Sequence, residues 1–128
     1  MPTIDRDKVC WVVLKARVYD AKVAAAEDDP GSNPVDEEVR EVLEDRLDDP
    51  TREELEEFIR DLNEDEQVEL VALAWVGRGS YTAEEWPEAV AEARRAHNDR
   101  TAEYLLGMPL LSDYLLEGLA AFGLDCEE

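Results

Sequence analysis

The densest polar chemistry in this chain is a run of five residues, His97-Asn98-Asp99-Arg100-Thr101. It falls within a stripe otherwise spaced for burial: Trp86, Val90, Ala93, His97, Arg100 or Thr101, Tyr104 and Met108 recur at helical steps. About two turns of polar side chains therefore interrupt an apolar face. Buried polar groups must find partners or cost roughly 1–3 kcal/mol each. Two arrangements meet that demand. One is a structural network in which His97 and Arg100 bond backbone carbonyls or facing acids such as Asp113. The other is a polar pocket where this helix meets the last one. It would centre on His97, Arg100 and Tyr104, with Asn98, Asp99, Thr101, Asp113 and Tyr114 around it.

Other chemistries fail on residue type or spacing. His97 is the sole histidine, so a Ser–His or Cys–His device must use it. Its partner would be Cys10, Ser80, Ser112 or Cys126, and spacing places none of them beside it. No catalytic residue is assigned. An EF-hand loop starting at Asp28 meets Pro30 at its third position and glycine two places early; starts at Asp45 or Asp65 meet no central glycine. A di-iron bundle needs Glu three residues before its histidine, where this chain has Arg94. Zinc sites fail on ligand count. Gly77-Arg78-Gly79-Ser80 lacks the lysine of a phosphate-binding loop. The expectation is no metal site and no cofactor, with only weak divalent-cation binding open to the clustered carboxylates.

Ala, Leu, Glu and Arg, all strong helix formers, dominate the elements that would position these residues. No alternating apolar run lies between turn residues, so no strand is expected. A first helix spans about Asp5 to Ala26, with Val9, Val12, Val13, Ala16, Tyr19 and Val23 as its apolar stripe. After a turn-rich loop, Asn33 caps a second helix that ends at Pro50. Thr51 with Glu54 and Asn63 with Glu66 are capping-box patterns for a third and a fourth. The fourth, apolar almost all round from Leu70 to Val76, is the expected buried centre, stopped by Gly77 and Gly79. Thr82 and Glu85 open a long fifth helix reaching Leu106, with Pro87 delaying its regular start. A last helix follows Pro109, turns Leu110, Leu111, Tyr114, Leu115, Leu119 and Phe122 inward, and stops at Gly123. Residues 1–128 thus read as a single all-α domain of about six helices around a buried central helix, with no β-sheet. Residues 125–128 form an acidic tail expected to fray.

The 128 residues hold 34 acids against 13 bases, a formal net charge of −21. Between Glu27 and Glu69, twenty acids face four arginines, so charge nominates one surface rather than the whole molecule. Nucleic acid and anionic membranes fit this balance poorly. No apolar run reaches the ~20 residues of a membrane span, and residues 1–8 carry no signal-like apolar region. Cys10 and Cys126 are expected as thiols of a reducing cytoplasm.

Pro30-Gly31-Ser32-Asn33, Leu70 to Trp75 with Gly77-Arg78-Gly79, and above all the run Asn98 to Leu115 resemble an uncharacterised bacterial family described only as a domain of unknown function. The resemblance spans almost the whole chain, with Leu116 standing where an acid is expected. It implies a small bacterial cytoplasmic protein and supplies no activity, cofactor or site residue. The leading functional expectation is a non-enzymatic interaction protein whose acidic surface on residues 27–69 meets a basic protein or simply stays solvated, or which pairs with itself. The alternative is a small-molecule-binding or catalytic domain with a polar pocket around His97, Arg100 and Tyr104.

Overall fold

A computed structural model describes residues 2–27 and 50–126. The expected second helix, its Asn33 cap, the preceding loop and residues 127–128 lie outside the described residues. Among the described residues the protein is all-α, with no strand. The helices are α1 (Arg6–Glu27), α2 (Pro50–Asp61), α3 (Glu64–Arg78), α4 (Trp86–Ala96), α5 (Thr101–Leu106) and α6 (Leu111–Ala121), with a 3-10 turn at Ala83–Glu85.

Helix α3 is the buried centre that its composition calls for. Every residue from Val68 to Val76 is buried. Asn63 caps it as expected: the Asn63 side chain accepts from the Glu66 N–H, and Glu66 accepts from the Asn63 N–H. The same reciprocal pair forms between Thr82 and Glu85, but it heads the 3-10 turn. The regular helix starts only at Trp86, because Pro87 has no N–H to give and favours a helix's first turn.

Two boundaries differ from expectation. Pro50 already begins α2, since a proline's fixed φ and missing N–H suit a first position. Thr51 therefore lies inside the first turn, buried, instead of capping it. The long fifth helix divides at His97–Arg100 into α4 and α5. There His97 takes extended ψ, and the Asn98 side chain accepts from the Arg100 N–H at 2.7 Å, an Asx turn that competes with the helix ladder. Leu110, expected to face inward, is 49% exposed.

Gly77 is not the stop of α3; Gly79, at φ 94°, is. Gly77 instead permits contact between backbones. A Cβ there would meet the Tyr114 carbonyl oxygen at 1.7 Å, and one at Gly118 would meet the Leu73 carbonyl oxygen at 2.3 Å. Helices α3 and α6 thus cross with no side chain between them at two points. The remaining core packs around that crossing: α4 on α3, α1 on α6 and α2, and α5 on α2.

The amino terminus docks onto the same helix. Glu69, only 8% exposed, accepts from the Thr3 N–H at 2.6 Å, the Thr3 hydroxyl at 2.6 Å and the Ile4 N–H at 2.8 Å. Lys8 bonds Glu66, and this bond first, then the Asn63 N–H, holds the Glu66 carboxyl below its usual value. Cys10 and Cys126 form a disulfide, contrary to the thiol expectation. That expectation came from compartment; the geometry, with α1 and the segment after α6 bringing the two Cα atoms to 5.4 Å, is that of a bonded pair.

Three outcomes follow from this packing. Alanine is the better helix former by about 1 kcal/mol, yet Gly77→Ala should lower unfolding free energy by about 2–3 kcal/mol in urea, because backbone cannot move aside. Reduction of Cys10–Cys126, or Cys126→Ser, should cost about 2–5 kcal/mol by reopening a loop of nearly the whole chain; equal urea midpoints with and without reductant would refute it. Because its folded pKa is depressed, Glu66 contributes stability that is present above about pH 4.5 and lost as pH falls through the lowered folded value. The stability gap between the wild type and Glu66→Gln should therefore shrink steadily from pH 6 to pH 3.

Candidate functional site

The break between α4 and α5 leaves a cleft of about 200 Å³ against α3. Its wall is apolar: Val68, Val71 and Trp75 from α3, Ala93 and Ala96 from α4. Its polar side comprises His97, Asn98, Arg100, Thr101 and Tyr104. Five of the residues nominated by the interrupted stripe are thus brought together. Asp113 and Tyr114 do not line the cleft. Asp113 is exposed on α6, and the Tyr114 backbone is occupied at the Gly77 crossing. The cleft lies against α3, not against the last helix.

The position of the wall follows from helical periodicity. Val68, Val71 and Trp75 are three and four residues apart and share one face of α3, while Leu70, Leu73 and Gly77 share the opposite face. The second face is pressed on α6, so the first is left for α4 and the cleft. This second stripe within an all-apolar helix was the signal that could have named the wall.

Each polar group at the rim has a definable role. The Gln67 amide nitrogen donates to the carbonyls of Ile59 at 2.9 Å and Leu62 at 3.1 Å, stapling the α2–α3 corner. Its oxygen is then fixed as the acceptor facing His97 Nε2 at 2.7 Å, so the imidazole carries its proton on Nε2. Gln67, which spacing did not single out, is what orients His97. The Trp75 indole N–H donates to the Tyr104 hydroxyl at 2.8 Å and joins α3 to α5 across the rim. Tyr104, 44% exposed, keeps its own O–H free to donate. The Thr101 hydroxyl donates to the Asn98 carbonyl at 3.1 Å. Asn98 uses its side-chain oxygen on the Arg100 N–H, leaving its NH2 as a donor. Among the described residues the Arg100 guanidinium makes no ion pair and no hydrogen bond.

A broader trough of about 740 Å³ runs along the exposed side of α1, beside Trp11, Leu14, Leu116 and the disulfide. Its charged residues, Arg6, Asp7, Arg17 and Asp125, are of both signs, and Arg6 and Asp7 pair with each other at 3.8 Å. Among the described residues, no three His, Cys, Asp or Glu side chains are grouped to hold a metal ion, and no buried side-chain nitrogen or oxygen lacks a partner. Nor is any helix among them long and apolar enough to cross a membrane.

No curated protein and no solved structure matches the chain. A family model does match residues 52–124, more than half of the sequence and every residue that lines the cleft. It includes Leu70 to Trp75 and the run Asn98 to Leu115, on which the resemblance rests, and leaves out Pro30 to Asn33. The chain therefore belongs to the family described as a protein of unknown function, DUF3775.

Proposed function

We propose that this domain binds a small molecule in the cleft between α3 and the α4–α5 break. One observation carries the reading: an apolar wall and a polar rim converge on a single space of about 200 Å³. Apolar space of about 150 Å³ already holds one benzene-sized ring. The rim would orient that ring, and the wall would supply most of the affinity. Binding is the proposed activity; no group at the rim is arranged as a nucleophile with its base, so catalysis is not proposed.

The acidic-surface reading draws less support from the described residues. Much of the segment from 27 to 69 lies outside them. Within the described part, Glu54 pairs with Lys15, Glu56 with Arg52 and Arg60, Asp65 with Arg94, and Glu66 with Lys8. Glu69 is consumed by the amino terminus. Acids already engaged within the chain offer a basic partner less than their number suggests, since each exchange would break an existing pair.

Benzyl alcohol, a neutral ring of fitting size, is the direct probe. It should give a saturation-transfer NMR signal with a millimolar dissociation constant, about −4 kcal/mol. Ala96→Trp, an exposed lining position, should fill the mouth and weaken binding at least about tenfold with unchanged circular dichroism. Absence of binding to the wild type, or equal binding to Ala96→Trp, would contradict the proposal.

A further inference from the structure

We infer that the cleft selects a small organic carboxylate, its anionic group held by Arg100 and its aromatic or branched aliphatic body laid on Val68, Val71 and Trp75. The inference rests on the cleft being a binding site and adds which charge that site accepts.

The composition of the lining carries it. Asp and Glu make up 34 of the 128 residues, yet none lines this cleft. A cationic ligand would enter without a counter-charge. Arg100 is the one formally charged residue there, and it is unpaired among the described residues. Most other arginines on the surrounding helices have acids: Arg52 and Arg60 engage Glu56, Arg94 engages Asp65, and Arg95 engages Glu92, while Arg78 at the end of α3 donates to the Ser80 hydroxyl at 3.1 Å. An arginine left without an acid in so acidic a chain keeps its planar fork of donors available, and that fork matches a carboxylate in two parallel hydrogen bonds.

The rest of the rim agrees in sign. The hydrogen bonds already made leave Tyr104 its O–H and Asn98 its NH2 as further donors. Against these the lining sets no carboxylate. One guanidinium matches one negative charge. A doubly charged phosphate would want a second cation, and the lining supplies none. The protein's overall negative field opposes any anion at long range, but at physiological ionic strength it is screened beyond about 8 Å. At contact distance the local donors decide.

The test is isothermal calorimetry on the full chain at about 0.15 M salt, with benzoate, benzyl alcohol and benzylammonium as probes. Benzoate should bind about tenfold or more tightly than benzyl alcohol, the range expected for hydrogen bonds to a charged group. Benzylammonium should bind more weakly than either. Arg100→Gln should close the gap between benzoate and the alcohol, and Arg100→Lys should restore part of it. Arg100 is exposed, so both variants should retain the wild-type circular dichroism. If benzyl alcohol binds but benzoate is no tighter, benzylammonium is preferred, or Arg100→Gln leaves the gap intact, the anion inference falls while the cleft stands. If none of the three probes binds, the cleft reading itself falls.

Discussion

Two glycines set the geometry on which everything else in this domain depends. At Gly77 and Gly118 the backbones of α3 and α6 meet with no room for even a methyl group. Backbone against backbone cannot be repacked by rotamer changes, so the crossing fixes the rotation of α3 about its own axis. That rotation decides which residues of an almost wholly apolar helix face where. Leu70, Leu73 and Gly77 go to α6, and Val68, Val71 and Trp75 are turned to the other side. Helix α4 covers only part of that side before the chain breaks at His97. The remainder backs the cleft, where Val71 and Trp75 keep 8% and 9% of their surface exposed and Val68 none.

The charge distribution has a matching logic. Glu54, Glu56, Asp65, Glu66 and Glu69, among the described acids of α2 and early α3, have intramolecular duties, capping α3, holding the amino terminus and pairing with Lys8, Lys15, Arg52, Arg60 and Arg94. Exposed pairs of this kind contribute little individually. The buried carboxylate of Glu69, with its three donors, contributes more because leaving those donors unpaired would be costly. The lining of the cleft holds no acid, and the one formally charged residue there is a cation. Net charge describes the molecule; the sign of the site is local.

Periodicity and caps gave away most of the fold because both are local. The Asn63 and Thr82 boxes, the burial of Leu70 to Val76, and the stop at Gly123, at φ 74°, could all be read from neighbouring residues. The division at His97 could not, since a polar interruption fits either a continuous helix with a satisfied network or a broken one. The Asx turn at Asn98 tips that balance. The roles of Gly77 and Gly118 were invisible for a different reason: close approach depends on a partner some forty residues away in sequence. From its neighbours alone, Gly77 reads as a local stop. Likewise His97, Arg100 and Tyr104 stood out by type, but Gln67 and Trp75, which orient His97 and Tyr104, are long-range partners. The Cys10–Cys126 bond is likewise out of reach of cysteine count, which speaks to compartment and not to distance.

The central claim is that the face of α3 opposite the glycine crossing is a ligand surface. Intermolecular nuclear Overhauser effects from the ring protons of bound benzoate test it most directly. The account predicts cross-peaks to the methyl groups of Val68 and Val71 and to the Trp75 indole. Cross-peaks confined to Trp11 and Leu14 in the trough along α1 would contradict it.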